Sequence, residues 1–309
     1  MPSTTTFVHS RDNAFVKDLR RLAQDSTAYR KQGRVWLEGD HLCRALLARG
    51  QRPAVAVFSE SFWPLAQSQY AQAAMKNIVL TDALWAEISG LESPAPQGMG
   101  FVLDLAAAPA LQPGLATVVL DRLQDAGNVG SILRSASAFG FVQVLALKGC
   151  AALWSPKVLR AGMGAHFALR LVEGGGLAQV QALGLPLLVT SSHQGDYLHR
   201  AALPWPCAWV LGHEGQGVAP ALEALAQNGL SYNQFHVAAL CSPTRAAILT
   251  GRNHHEAGFG NVANASAGFP GYNSVWAKDT VSLAEVLRPE VLTRPRAIPA
   301  APAAPAAKP

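Results

Sequence analysis

One stretch decides the fold of this 309-residue chain: residues 118–140, which read VVLDRLQDAGNVGSILRSASAFG. It opens with the apolar, β-branched run 118–120, which is typical of a buried strand. After a polar turn, apolar positions recur with helical spacing at Ile132, Leu133, Ala136 and Phe139. Asn128 stands where the helix N-cap belongs, and Gly127 and Gly130 let the backbone approach a ligand closely. The stretch therefore predicts a strand, a tight loop and a helix.

Arg134 lies about one and a half turns into that helix, near enough to its N-terminal end to reach the mouth of the loop. The spacing alone leaves two interpretations open. In the first, the loop and Arg134 form a binding site. In the second, the loop is an ordinary connection and Arg134 is a surface residue.

The loop and helix carry the pattern N-x-G-x-x-x-R-x-A-x-x-F-G, formed by Asn128, Gly130, Arg134, Ala136, Phe139 and Gly140. This pattern resembles the first motif of the SpoU/TrmH family of RNA ribose 2′-O-methyltransferases. A second block, WVLGHEGQGV at residues 209–218, is similar to that family's second motif, with Gly212, Glu214, Gly215 and Gly217 in place. The resemblance covers roughly the first three quarters of the chain.

The resemblance implies methyl transfer from S-adenosylmethionine to a ribose 2′-hydroxyl of structured RNA, without a metal ion. It implies three catalytic residues: Arg134 beside the developing alkoxide, Asn128 orienting the ribose or phosphate, and Glu214 fixing Arg134 or Asn128. Glu214 would act within one chain or across a subunit interface, because the family works as a homodimer. The cofactor-binding residues that it implies are Leu211, Gly212, Gly217 and Gly130.

Residues 1–105 alternate strand and helix patterns, which predicts a small α/β domain. The order of its elements resembles the ribosomal-protein-like substrate-binding domain of many SpoU/TrmH enzymes, which favours ribosomal over transfer RNA. A helix predicted within residues 11–34 has a basic outer face, which either contacts RNA or is simply solvated. The RNA-binding candidates are Arg20, Arg21, Arg30 and Lys31.

Residues 106–114, AAAPALQPG, are predicted to be a linker, and residues 115–228 alternate strand and helix again. Their continuous apolar strands predict a parallel sheet covered on both faces. Ligands bind such sheets at the carboxyl ends of the strands, where both motifs fall. By resemblance, this is the trefoil-knotted SPOUT type of domain.

The resemblance changes from about residue 221. Residues 229–288 look like a piece of a bacterial-type arylsulfatase, including its C-x-P-x-R signature at Cys241, Pro243 and Arg245. Such an enzyme needs a calcium ion held by several carboxylates, and this fragment has scarcely any. We therefore expect no catalytic role for Cys241. Residues 289–309, rich in Pro and Ala, are predicted to be a disordered tail.

The third SpoU/TrmH motif, whose helix closes the knot around the cofactor, is missing after Val218. We expect an incomplete knot and crippled methyl transfer. The alternative functions are a sulfatase fragment and an RNA-binding module that has lost catalysis.

The formal net charge is +5, which fits either a polyanionic partner or a generically basic soluble protein. The four cysteines, Cys43, Cys150, Cys207 and Cys241, form no C-x-x-C pair, which argues against a disulfide framework and a zinc knuckle. They suit a reducing cytoplasm. The sequence shows no signal peptide and no apolar run of membrane-spanning length, so we expect no membrane insertion.

Overall fold

The computed structural model describes residues 3–90, 98–191, 196–197, 203–226 and 231–233. The predicted tail, Cys241 and nearly all of the sulfatase-like fragment lie outside these residues. Residues Met1–Phe235 form one compact unit that contains two β-sheets.

The first sheet has five strands in the order β1-β4-β3-β5-β2, with β5 antiparallel to both of its neighbours. Its strands are β1 (Thr4–Val8), β2 (Arg34–Glu38), β3 (Val55–Ser59), β4 (Lys76–Leu80) and β5 (Met99–Asp104). Its helices are α1 (Ala14–Gln24), α2 (Ala28–Gln32), α3 (Asp40–Ala48), α4 (Trp63–Tyr70) and α5 (Asp82–Ile88).

Both faces of this sheet are buried, because successive side chains of a strand point to opposite faces. Leu37 and Phe58 belong to one core cluster, while their neighbours Trp36 and Val57 belong to the other. The predicted small α/β domain therefore has helices over both faces.

The basic segment 11–34 forms two helices, where we predicted one. Asp25 follows the last residue of α1, and its carboxylate accepts hydrogen bonds from the backbone N–H and the hydroxyl of Thr27, at 2.8 and 2.9 Å. This turn ends α1 before α2 begins. Strand β1 escaped prediction because it is a polar edge strand in which four of five residues are exposed.

The second sheet has seven parallel strands in the order β10-β12-β9-β11-β6-β7-β8, as the apolar strands predicted. Its strands are β6 (Thr117–Leu120), β7 (Gln143–Leu147), β8 (Arg170–Gly175), β9 (Leu187–Ser191), β10 (Asp196–Tyr197), β11 (Ala208–Leu211) and β12 (Ser231–Asn233). Its helices are α6 (Ala126–Ala138), α7 (Pro156–Gly162), α8 (Leu177–Gln181) and α9 (Pro220–Ala226). An incomplete knot stays a prediction, because the chain after β12 lies outside the described residues.

The start of α6 corrects the predicted cap. Asp125, not Asn128, is the N-cap, and its carboxylate accepts a hydrogen bond of 2.7 Å from the backbone N–H of Asn128. Asn128 therefore lies in the first turn of the helix. An Asp three residues before a free N–H is the preferred capping arrangement, and it leaves the Asn128 side chain available for other contacts.

The segment between the two sheets, 105–116, forms neither helix nor strand. The sheets nevertheless share packing, since Ala152 and Leu159 from the second half belong to a core cluster of the first sheet. The predicted domain boundaries stay a prediction. Within the described part of the chain, no helix is both long and apolar enough to cross a membrane.

Candidate active site at the carboxyl edge of the parallel sheet

The two motifs meet because their strands are neighbours. Strand β6 pairs with β11, with Leu120 opposite Leu211, so the loops that follow the two strands leave the same edge of the sheet. The backbone N–H of Asp121 donates to the carbonyl of Leu211 at 2.8 Å. We call residues 121–125 the first loop and residues 212–219 the second loop.

Asp121 and Arg122 fasten the two loops together. Asp121 is only 3% exposed, and its carboxylate accepts a 2.7 Å hydrogen bond from the backbone N–H of Ala219 in the second loop. The Arg122 guanidinium donates to Asp121 at 3.1 and 3.2 Å and to the Gln216 side chain at 2.9 Å. Arg122 does so from the left-handed region, with φ +56°. We call this arrangement the Asp121–Arg122 clasp; our sequence analysis missed it because nothing local marks a contact across 94 residues.

Glu214 ties the second loop to the start of α6. Its carboxylate accepts from the backbone N–H groups of Asp125 and Gln124, at 3.1 and 3.4 Å, and from the Asn128 amide at 3.3 Å. Burial by itself would raise the pKa of Glu214, but these hydrogen bonds and that of its own N–H outweigh it and hold the pKa below its ordinary value. Glu214 is therefore an anion that fixes Asn128 within one chain.

The second loop is closed on itself. His213 and Gly217 exchange two backbone hydrogen bonds of 2.9 Å, and the His213 ring accepts from the N–H groups of Gly215 and Gln216 at 3.0 and 3.2 Å. A Cβ on Gly212 would lie 2.3 Å from the backbone of Gly217, so only glycine fits there. Gly212 therefore closes the loop.

Gly130 serves helix packing. A Cβ at this position would lie 2.3 Å from the Cβ of Ala161. The close approach of α6 and α7 therefore requires glycine at residue 130. Beneath this contact His166 is buried, and its Nε2 lies 2.9 Å from the carbonyl oxygen of Leu153. Gly130, Ala161, Gly162 and His166 form what we call the α6–α7 seam. The close backbone approach predicted at Gly130 is real, but its partner is α7.

Arg134 stands apart from the other catalytic candidates. It is exposed on α6 and forms no hydrogen bond or ion pair with any residue that the structure describes. Six residues of helix separate it from Asn128, which places it about 120° around the axis and about 9 Å along it. One chain therefore brings Asn128 and Glu214 together but leaves Arg134 unpaired. Its neighbours on this outer face of α6 are the small residues Ser131, Ser135 and Ala138.

The four basic RNA-binding candidates divide into two pairs. Arg20 is bound to the Glu87 carboxylate, and Arg30 to that of Glu173 at 3.4 Å. Arg21 and Lys31 are exposed and have no ion-pair partner among the described residues.

The space around the glycines shows whether the site could hold S-adenosylmethionine. The space above Gly217 is open, since a Cβ placed there would meet no described atom within 4 Å, and half-buried Leu211 offers an apolar surface at the end of β11, where this loop begins. These residues fit one wall of an adenosine site. The described residues contain no group of three His, Cys, Asp or Glu side chains that could hold a metal ion.

Fold and site together define an α/β protein with a seven-stranded parallel sheet, at whose carboxyl edge two glycine-containing loops converge. The family described as the SpoU rRNA methylase family matches residues 116–234, and the sulfatase family matches residues 203–290. A Synechocystis protein named as an uncharacterized tRNA/rRNA methyltransferase is 31% identical over 235 residues, which cover 72% of this chain and 84% of that protein. The chain belongs to the SpoU rRNA methylase family.

Other relatives are longer. The human mitochondrial rRNA methyltransferase 3 is 34% identical over 180 residues, which make up 52% of this chain but only 41% of that protein. The chain thus spans less than half the length of this relative.

Solved structures share the fold. The crystal structure of an RNA 2′-O ribose methyltransferase is 26% identical, with a TM-score of 0.61 over 76% of this chain and 93% of that one. The AdoMet-bound rRNA methyltransferase from Sinorhizobium meliloti has a TM-score of 0.62 at 22% identity, over 77% of this chain and 92% of that one.

Proposed function

We propose that this chain methylates a ribose 2′-hydroxyl of structured RNA, with S-adenosylmethionine as methyl donor and ribosomal RNA as substrate. The observation that carries the proposal is the Asn128–Glu214 pair, held by the clasped loops at the carboxyl edge of the sheet. Family membership and the names of the relatives support the reaction class. When bound, S-adenosylmethionine supplies an activated methyl group on its sulfonium.

Glu214 sets the orientation of Asn128. An ionised carboxylate can only accept hydrogen bonds, so the Asn128 amide must turn its NH₂ group towards Glu214. Its carbonyl oxygen then remains free to accept a hydrogen bond from a ribose hydroxyl. In this role Asn128 aligns the attacking oxygen.

Arg134 supplies fixed positive charge. A 2′-hydroxyl is weakly acidic, and a guanidinium placed beside it stabilises the alkoxide that develops as the oxygen attacks. Arg134 is free for this role because no described carboxylate neutralises it. Leu211 and Gly217 would hold the cofactor, with Gly212 closing the loop that carries Gly217 and Gly130 setting the position of α6.

Glu214→Gln tests this division of labour, because glutamine can donate to Asn128 and let its amide turn round. We expect a fall in kcat at unchanged cofactor affinity. Glu214→Asp, which keeps the charge, should retain more activity. Equal rates for wild type and Glu214→Gln would contradict the proposal.

We propose that the chain acts as a homodimer in which Arg134 meets the Asn128–Glu214 pair of the other copy. The support is the open outer face of α6 and, beyond its end, the exposed side chains of Phe139, which is 74% exposed, and of Trp205, whose ring packs against Phe141. Mixing the impaired Arg134→Ala and Glu214→Gln chains tests this. Random pairing should restore about one quarter of wild-type activity if Arg134 acts across the interface, and nothing above the residual activity of the separate variants if each site is built from one chain.

We propose that the first domain contacts RNA through Arg21 and Lys31, whose charges are unpaired among the described residues. The Arg21→Gln/Lys31→Gln double variant should lower the slope of log affinity against log salt by about two, since each phosphate contact contributes about one unit. The ion-paired Arg20 should contribute less. An unchanged slope would contradict this assignment.

We propose that cofactor binding is weak because the third family motif is missing. Loss of a few hydrogen bonds at about 1 kcal/mol each would weaken binding by two or more orders of magnitude. Calorimetry should compare this chain with one whose residues after Gln227 are replaced by an intact third motif. Equal micromolar affinity would overturn the claim.

The match of residues 203–290 to the sulfatase family keeps sulfate-ester hydrolysis as a second candidate. We propose that this activity is absent, because the fragment lacks a carboxylate cage for calcium. Hydrolysis of an aryl sulfate that Cys241→Ala abolishes would show the opposite.

We further propose a cytoplasmic location, supported by the free thiols of Cys43, Cys150 and Cys207 and testable by fractionating cells.

A further inference from the structure

A groove lies where the two halves of the described unit meet, at the carboxyl ends of β7 and β8. It has a volume of about 210 Å³ and is lined by Arg30 of α2, residues 146–151, Glu173 and Gly174. We call it the junction groove. We propose that the junction groove binds a phosphate of the RNA backbone, through Arg30 and Lys148, and so guides the strand from the first domain to the methyl-transfer loops. The inference rests on the proposed function.

The two cations come from different halves of the unit. Lys148 is exposed at the end of β7 and has no ion-pair partner in the part of the chain that the structure describes. Arg30 comes from α2, and its side chain remains 53% exposed although it pairs with Glu173. A phosphate between them would gain two charge-assisted contacts.

Glu173 would repel a phosphate if its charge faced the groove unopposed. Its carboxylate, however, accepts from the Tyr29 hydroxyl at 2.6 and 2.8 Å, from the backbone N–H of Leu153 at 2.8 Å, and from Arg30 at 3.4 Å. Burial, followed by the hydrogen bond to Glu173, raises the pKa of Tyr29, so its hydroxyl stays a donor. These donors compensate the carboxylate, and the charge of Lys148 is left for a ligand.

The groove adjoins the methyl-transfer edge. Gly149, next to Lys148, has φ +93°, and a Cβ there would lie 3.4 Å from the Cγ atom of Arg122. Arg122 is the residue that holds the second loop through Gln216. A phosphate at Lys148 would therefore lie close to the clasp between the loops.

The size of the groove favours one group of a polymer over a whole small molecule. Pockets for complete ligands usually measure about 300 Å³ or more, which is larger than this groove. A backbone phosphate enters alone, while its ribose and base remain outside. The contact would carry no sequence information and would fix the register of the RNA.

The experiment measures affinity of the full chain for a fluorescent RNA hairpin at several salt concentrations. Wild type is compared with Lys148→Gln, Arg30→Gln and the double variant. We expect Lys148→Gln to lower the salt slope by about one, Arg30→Gln to lower it by less because Arg30 also pairs with Glu173, and the double variant to lower it by more than either single variant. Lys148→Arg, which keeps the charge, should keep the wild-type slope.

Lys76→Gln is the matched control, because it removes an exposed lysine at the start of β4, three strands away from β2. If Lys76 contacts no phosphate, the salt slope of Lys76→Gln should equal the wild-type slope. Thermal unfolding of each variant shows whether it folds, and the charge reversal Lys148→Glu gives a second measurement at the same exposed position. Slopes that stay unchanged in the Lys148 variants, or an equal loss in Lys76→Gln, would overturn the proposal.

Failure of the groove and failure of the proposed function give different results. If only the groove is wrong, the variants bind RNA with the wild-type slope and the chain still transfers methyl groups to ribosomal RNA. If methylation is wrong, wild type transfers no methyl group even at saturating S-adenosylmethionine, although its affinity for the hairpin still depends on Lys148. If inorganic phosphate displaces the hairpin from the protein as effectively as an unlabelled RNA does, the groove is a general anion site and the RNA assignment is overturned.

Discussion

The clasped loops and the outer face of α6 belong to the same proposed site, but they differ in how many of their polar groups find hydrogen-bond partners within one chain. In the loops, the carboxylates of Asp121 and Glu214 together accept six hydrogen bonds from neighbouring residues of the two loops and α6. On the outer face of α6, Arg134 makes no polar contact with the described residues. The loops that position Asn128 are thus hydrogen-bonded within one chain, while the face of α6 that carries Arg134 is open for a substrate or a second copy.

Arg134→Ala should give the largest effect and separate the two regions most clearly. Removing one stabilising charge from a transition state costs roughly 10²- to 10³-fold in kcat. Because Arg134 is exposed and has no partner among the described residues, the unfolding temperature should not change. Single-turnover methylation with a calorimetric scan measures both, and a large loss of stability would contradict this view of an open face.

His166 tests the opposite region, where substitution should affect stability alone. Burial, only partly offset by the hydrogen bond to Leu153, lowers its pKa from 6.5 to about 4. Below pH 6.5 the unfolded chain takes up a proton that the folded chain refuses, so stability falls as pH drops from 6.5 to 4, by about 1.4 kcal/mol per pH unit and about 3 kcal/mol in all. Denaturant titrations of wild type and His166→Gln should differ in this slope, and parallel pH profiles would refute the prediction.

Gly130→Ala and Gly217→Ala compare the seam with the open loop. An alanine at residue 130 collides with Ala161, so we expect a loss of about 1–3 kcal/mol in the free energy of unfolding. At residue 217, with φ +69° and open space, only backbone strain of about 1 kcal/mol is expected, together with weaker cofactor binding. Urea unfolding and cofactor calorimetry on the pair would show whether the seam is the tighter of the two.

Arg122→Gly and Arg122→Ala, compared with each other, should differ only slightly in stability and sharpen the role of the clasp. Both remove the bonds to Asp121 and Gln216 and leave the buried Asp121 carboxylate without its guanidinium, so both should lose stability. Glycine also relieves the positive φ, so the alanine variant should be less stable than the glycine variant by roughly 1 kcal/mol. Both should lose activity to the same degree, because both free the second loop. If Arg122→Gly were as active as wild type, the clasp would have no positioning role.

The structure also shows a partner for Gly130 that the sequence did not indicate, the helix α7, while its contact with the cofactor stays a prediction. Its pattern in the sequence predicted a close approach of the backbone, which is correct, but a glycine does not say which surface approaches. The same holds for Asn128, whose place near the start of α6 was evident, whereas Asp125 was one of several polar residues able to cap. The residue types of a segment narrow the possible contacts, but they do not decide which contact forms.

The sequence by itself determined that β6, β7 and β8 belong to a parallel sheet with the two motif loops at one edge, and the family resemblance placed Asn128 and Glu214 among the catalytic candidates. It could do so because apolar runs and glycine-containing turns act over a few residues, and parallel strands leave their loops on the same side. Only the tertiary structure decided which groups meet: Asn128 with Glu214 across 86 residues, and Arg30 with Glu173 across 143. Such pairs depend on packing between distant segments, which no local periodicity encodes, and that is why the clasp and the junction groove became visible only in the folded chain.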